Sequence, residues 1–178
     1  MRKIYTKTGD KGMTSLYDGT RVLKNDQIIN VLGTIDELNA SLGVVLAFLE
    51  NPDDKILCRQ KELMELASMI ALSKSKIASP KNIKIDEGHI ESLEKEIDEM
   101  EKKLIPLEKF ILPGGSKASS LAHFSRTICR RLERSLVALH GESGLEEVLL
   151  KYTNRLSDWL FVYARILNSG KDIIWDSK

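Results

Sequence analysis

A run of about 18 consecutive apolar residues, the length that spans a bilayer as a helix, occurs nowhere in this chain. The sequence therefore gives no reason to expect a membrane-crossing segment. Arg2 and Lys3 open the chain without the apolar stretch of a secretory signal. Cysteine is scarce as well: Cys58 and Cys129 are far apart, and neither belongs to a CxxC pair or a zinc-binding spacing. This excludes a disulfide framework, and both side chains are expected to be buried free thiols. Charge of one sign is missing, since 27 Lys and Arg face 26 Asp and Glu for a net charge of +1. No global field draws the chain to nucleic acid or to an anionic membrane, so any anion site must be built locally. The expected setting is a reducing cytoplasm. Internal repeats and low-complexity tracts are absent too. With 178 residues the chain suffices for one domain, because a chain of roughly 150 residues buries about 70% of the surface it exposes when unfolded.

What is present reads mainly as helix. Residues 1 to 32 are the exception: Gly9, Gly12 and Gly19 stand among Thr, Ser, Asp and Lys, which predicts a loop segment with a short strand near Ile4. A capping box of Thr34 and Glu37 predicts the start of the first helix, which runs to about Leu49. After Asn51-Pro52-Asp53 a second apolar period continues towards Ser75 and the Ser79-Pro80 turn. A charged third helix covers about residues 86 to 103 with a single apolar stripe. Phe110-Ile111-Leu112-Pro113-Gly114-Gly115 forms a turn, and Ser116 caps a long helix reaching about Leu139, ended by the Gly141 to Gly144 segment. A last helix from about Leu145 to Asn168 has Gly170 as its C-cap. The fold class is all-α, a five-helix bundle over residues 33 to 170 preceded by the loop segment.

Three groups of residues go beyond what a core requires. On the fourth helix each residue turns about 100°, so Arg126, Arg130 and Arg134 form one stripe with His123 and Glu133 beside it, opposite Leu121, Ile128, Leu132, Leu136 and Leu139. A solvated charged face is one explanation. Stacked guanidinium groups repel one another, however, and their planar fork suits phosphate or carboxylate, so an anion or a partner carboxylate is the other. On the last helix Leu149, Leu156, Leu160, Tyr163 and Leu167 make an apolar arc, with Asn154, Asp158, Phe161 and Arg165 on the other side. Asn154 and Asp158 cost helix propensity, which a clamp between helices or a bound group would offset. On the first helix Asp36 heads a strip of small side chains, Ala40, Gly43 and Ala47, open to another helix or a flat ligand. Compensation of the helix dipole is the bland role for Asp36, and pairing with Arg126 the sharper one. The loop Thr6-Lys7-Thr8-Gly9-Asp10-Lys11-Gly12-Met13-Thr14-Ser15 has the chemistry of a phosphate cradle. It is not a Walker loop, because GxxxxGK[ST] is absent, and a mobile turn would have the same composition.

Together these pieces resemble the PduO-type corrinoid adenosyltransferases, the family of ATP:cob(I)alamin adenosyltransferase. The segments that carry the resemblance are IYTKTGDKGMTSL, VLGTIDELNASLG, FILPGG, HFSRTICRRLERS and TNRLSDWLFVYAR, in the family's order and across nearly the whole chain. The resemblance implies a homotrimer with ATP and corrinoid sites at subunit interfaces. It implies that Thr6, Lys7, Thr8, Gly9, Thr14, Ser15 and Lys24 wrap the nucleotide, with Arg130, Glu133, Arg134 and Asn154 supplied by the neighbouring subunit. Asp36 and Arg126 would form an intersubunit ion pair near the corrinoid, and Phe110 would help remove the lower axial ligand from cobalt. The implied reaction transfers the 5′-deoxyadenosyl group of ATP to Co(I), with Mg²⁺ on the phosphates and triphosphate leaving; the residues holding the metal are not readable. A reductase and an adenosylcobalamin-dependent mutase are the implied protein partners. Three other readings stay open on the residues alone: a nucleotide sensor, a corrinoid carrier and a plain structural bundle.

Overall fold

The computed structural model describes residues 4–5, 7–73 and 84–176. Its first element is a hairpin of β1 (Met13–Ser15) and β2 (Arg21–Leu23), antiparallel with Thr14 opposite Val22. Among the described residues no strand forms near Ile4. The pairing lies instead around the Asp18-Gly19 turn, where Gly19 takes a φ of 85° that an L side chain disfavours. Leu16 is buried and Val22 packs on the core, which fixes this hairpin to the helices.

Among the described residues there are five helices, α1 (Gln27–Ala47), α2 (Asp54–Leu72), α3 (Glu87–Glu101), α4 (Lys117–Ser143) and α5 (Glu147–Leu167). Helix α1 begins six residues before the expected Gly33. Its cap is Asp26, whose carboxylate accepts from the Ile28 amide at 3.0 Å. Thr34 lies within the helix and donates to the Asn30 carbonyl at 2.8 Å, while Glu37 reaches Arg131 on α4. The apolar spacing explains the earlier start, because Ile28, Val31, Ile35, Leu38, Leu42 and Val45 form one continuous buried stripe. By length and composition α1 could cross a membrane, yet that stripe is spent on α4 and α2.

Ser116 caps α4 as expected, its hydroxyl accepting from the Ser119 amide at 3.1 Å. The helix continues past Leu139 to Ser143 and stops where Gly144 adopts a left-handed φ of 64°. Neighbouring helices pair as α2 with α1, α1 with α4, α4 with α5 and α5 with α3. Where α1 meets α4 the Ser41 and Ser125 hydroxyls are 2.9 Å apart, since small side chains allow close approach. The Ser75 to Pro80 part of the expected second helix and turn lies outside the described residues. A second ribbon, β3 (Ile111–Leu112) with β4 (Ile173–Ile174), joins the segment before α4 to the one after α5.

A charged cluster closes the bundle between α2, α3 and α5. Arg59 is 1% exposed and pairs with Glu62 at 3.1 Å and Glu96 at 3.7 Å. Glu62 also accepts from the Tyr152 hydroxyl at 2.8 Å, and Glu96 from the Trp159 indole at 2.7 Å. Burial acts to lower the Arg59 pKa, but Glu62 and the neighbouring groups outweigh it and raise the value. Cys58, expected to be buried, lies on the exposed side of α2, because the helical period that buries Arg59 turns its neighbour outward. Cys129 is buried, and that burial pushes its thiol pKa far up, so it stays protonated and inert. Removing Glu62 would leave a buried guanidinium without its nearest carboxylate. Glu62→Ala should therefore cost about 3 kcal/mol or more in urea unfolding, and Arg59→Met with Glu62→Leu should recover most of that loss.

Candidate functional site

Withdrawal of Ile128, Leu132, Leu136 and Leu139 into the core leaves the arginine stripe of α4 on the open side. Arg130 and Arg134 are exposed and line a depression of about 290 Å³ with Glu133 and Val137. Across it Asn154 of α5 donates to Glu133 at 2.8 Å. This bond offsets the helix cost of Asn154 and fixes Glu133 beside the two guanidinium groups. Asp158 is satisfied more simply, by Arg155 one turn away at 3.4 Å. Among the described residues no carboxylate lies within ion-pair distance of Arg126, Arg130 or Arg134.

Arg126 is placed differently. It is half-buried, with its guanidinium carbon 5.9 Å from the centre of the Phe161 ring and its Nε without a hydrogen-bond partner. Burial lowers its pKa, and the charge of Arg130 lowers it further. Arg126 and Phe161 line a pocket of about 550 Å³ whose far wall is Leu107, Glu108, Lys109, Phe110 and Ile111. Phe110 is 78% exposed, so it is not a core aromatic. Its ring meets that of Trp175 edge to face at 6.3 Å, and its carbonyl accepts from the Trp175 amide at 2.9 Å. Phe110 and Arg126, named separately in the sequence, thus face one cavity.

Asp36 is exposed on α1 and has no ion-pair partner among the described residues; within one chain it does not meet Arg126. It stands above Ala40 and Ala47, both exposed, with Val44 and Phe48 along the same open side. Ala40 and Ala47 are therefore open within the chain, whereas Gly43, between them in the strip, is partly covered and faces the Gln60 side chain of α2.

The N-terminal loop gathers its own cluster. Lys7 holds a φ of 60° and Gly12 one of 76°, and the Lys24 amide donates to the Gly12 carbonyl at 2.8 Å. A Cβ on Gly9 would lie 3.2 Å from the Lys24 ammonium, so the glycine lets that charge rest against the loop. Arg21 donates to the Thr8 carbonyl at 2.8 Å and to the Ser15 hydroxyl at 3.2 Å. Thr14 is half-buried beside it. Thr6 lies outside the described residues. The structure thus brings Thr8, Gly9, Ser15 and Lys24 together, on a different element from Arg130, Glu133, Arg134 and Asn154.

Sequence reasoning missed Arg21, Phe161 as a pocket wall, and Trp175. The first is legible only once Ser15 and Arg21 are known to be cross-strand partners. Trp175 follows the last helix, where no helical period marks it. Among the described residues, no three His, Cys, Asp or Glu side chains converge as a metal site.

His123 lies beneath the pocket, 3% exposed, its ring edge-on to Phe161 at 5.9 Å and its Nδ1 without a partner. Burial lowers its pKa, and Arg126 adds to this while Asp172 opposes it. The folded chain therefore binds fewer protons here than the unfolded chain between the ordinary value of about 6.5 and the lowered one. Stability is lost as pH falls through that window. Thermal unfolding at pH 7.5 and pH 5.5 should show a smaller acid loss in His123→Gln than in the natural sequence.

The sequence profile described as cobalamin adenosyltransferase matches residues 4–167. A corrinoid adenosyltransferase of Bacillus subtilis is 42% identical over 177 residues, covering 96% of this chain and 89% of that protein. A cobalamin adenosyltransferase of Cupriavidus metallidurans is 39% identical over 181 residues, covering 98% and 95%. Among solved structures, a Phe-to-His variant of the PduO-type ATP:corrinoid adenosyltransferase of Lactobacillus reuteri, complexed with cobalamin and ATP, superposes with a TM-score of 0.90. It is 31% identical over 98% of this chain and 97% of that one. With the profile spanning most of its length and the whole helical architecture shared, this chain belongs to the cobalamin adenosyltransferase family.

Proposed function

We propose that this protein transfers the 5′-deoxyadenosyl group of ATP to the Co(I) centre of cobalamin or a related corrinoid, in a homotrimer whose sites lie between subunits. The observation that carries the reading is the pocket in which an apolar wall of Phe110 and Phe161 faces the unpaired, half-buried Arg126. A flat, largely apolar macrocycle with polar edges suits such a wall, and Asp36 of a second subunit would give Arg126 its missing partner. The exposed Ala40 and Ala47 on α1 support the close approach of another chain.

Co(I) attacks the ribose 5′ carbon; the cobalt–carbon bond forms as the carbon–oxygen bond breaks, and triphosphate leaves with the electron pair. Co(I) is a strong nucleophile, so the protein need not activate a side chain. Its tasks are alignment and the stabilisation of charge. Thr6, Lys7, Thr8, Gly9, Thr14, Ser15 and Lys24 would hold ATP from one subunit, with Arg130, Glu133, Arg134 and Asn154 from its neighbour. Guanidinium and ammonium groups without carboxylate partners are suited to the charge that gathers on the departing triphosphate. Mg²⁺ would enter on the phosphates, which agrees with a donor set of hydroxyls and amides and few carboxylates. Phe110 would exclude the lower axial ligand, and an unligated cobalt is the easier one to reduce. The electron would come from a reductase and the product would pass to a mutase, all in the cytoplasm.

Anaerobic mixing with ATP, Mg²⁺ and reduced cobalamin, followed by absorbance for the cobalt–carbon bond, tests the activity itself. Arg130→Ala should weaken the use of ATP by about 2 kcal/mol, the scale of a lost charge-assisted bond; unchanged ATP kinetics would remove Arg130 from the phosphate site. Asp36→Asn should raise the corrinoid requirement and leave ATP affinity alone. A fall in ATP affinity with normal corrinoid kinetics would reverse the roles given to the two clusters.

A further inference from the structure

The segment that carries Phe110 has little of its own to hold it. Strands β3 and β4 contribute two residues each, far fewer than a ribbon needs to be stable alone. Leu112, Ile173 and Ile174 keep 43–47% of their surface in water and Ile111 is half-buried, so burial of their side chains holds the ribbon only in part. Two surface contacts, the Lys109–Asp176 ion pair at 2.9 Å and the Trp175–Phe110 backbone bond, lie in water and are weak on general grounds.

Beneath the ribbon, however, one guanidinium touches both chain segments that enter it. Arg165, in the last turn of α5, donates through Nε to Asp172 at 2.9 Å and through Nη2 to the Ile105 carbonyl at 2.7 Å. The two charged side chains are only 5% and 8% exposed. Ile105 lies in the segment that runs through Phe110 into β3, and Asp172 immediately precedes β4. Buried ion pairs add little net stability compared with apolar residues of the same size, and fixing a unique arrangement is one role argued for them. Gly114, Gly115 and Asn168 support the same geometry: a Cβ on Gly115 would collide with the Asn168 amide, which accepts from the Ser116 amide at 3.0 Å.

We infer that Arg165 is a positioning residue for the corrinoid step: by gripping Asp172 and the Ile105 carbonyl together, it sets the ribbon that holds Phe110 over the Arg126 pocket. The inference rests on the proposed role of Phe110 and adds the element that aims it. Lysine cannot replace the arginine fully, because an ammonium lacks the fixed fork that serves two acceptors at a set spacing.

Hydrogen exchange and kinetics on the full-length protein test this together, using Asp172→Asn, Arg165→Lys and Phe110→Ala. In Asp172→Asn the Trp175 amide should exchange about tenfold faster, while core amides of α4 and α5 keep their protection and show that the bundle is folded. Turnover at limiting corrinoid should fall about tenfold with the ATP KM unchanged, as expected of a misplaced wall. Arg165→Lys, which keeps the charge beside Asp172, should recover part of both effects. Unchanged ribbon exchange in Asp172→Asn would overturn the inference, as would normal corrinoid turnover in that variant alongside a loss in Phe110→Ala. Normal turnover in both would instead remove the reading of Phe110, and the inference with it.

Discussion

Burial of Ile128, Leu132, Leu136 and Leu139 against α1 and α5 fixes the rotation of α4 about its own axis. A helix has no freedom left once that face is chosen. Arg126, Arg130 and Arg134 must then emerge on the other side, a turn apart, and the residues proposed for the site on the bundle are placed relative to them. Asn154 shows the consequence on the neighbouring helix. The apolar arc of α5 sets its rotation in turn, and the two rotations bring Asn154 and Glu133 within hydrogen-bond distance. Core packing and site geometry are here one choice, because the same helical period decides both.

Three arginines are withdrawn from water to a large degree, and they are treated differently. Arg59 has Glu62 and Glu96 beside it, and Arg165 has Asp172. Each of these charges is answered within the chain. Arg126 has an aromatic ring, a neighbouring arginine that repels it, and an Nε with no acceptor. Leaving a partly buried cation in that condition costs stability, and natural sequences accept such a cost mainly where something outside the chain completes the arrangement. Arg59 also keeps an Nε and an Nη1 without a hydrogen-bond partner, so what sets Arg126 apart is the lack of a carboxylate beside it among the described residues.

Much of this was legible beforehand, for identifiable reasons. Ser116 stands out as a cap because it follows a Pro-Gly-Gly turn and precedes a clean period. The two faces of α4 follow from spacing alone. The start of α1 is not legible, because Thr34 and Glu37 imitate a capping box inside a helix whose true cap, Asp26, sits in a polar stretch that reads as loop. Residue type alone places Cys58 in the core, and the period of α2 overrules residue type. Spacing puts Arg165 on the polar side of α5 although it is buried, because its partner Asp172 lies beyond the helix, where periodicity carries no information. Phe161 and Trp175 escaped for a related reason: a pocket wall assembled from distant segments has no local pattern.

The site is divided between elements of very different rigidity. Arg126, Arg130, Glu133, Asn154 and Phe161 stand on two long helices that share the core. Phe110, Trp175, Lys7, Gly9 and Lys24 stand on short ribbons and turns with few buried side chains. Local stability follows burial and protected hydrogen bonds, so the helical half forms a fixed platform and the ribbon half is the part able to adjust. A reaction in which two large substrates must enter and a larger product must leave is served by that division. On the proposed function, the charged groups of α4 stay on the fixed platform, and the wall that carries Phe110 is tied to it chiefly by the buried Arg165–Asp172 pair.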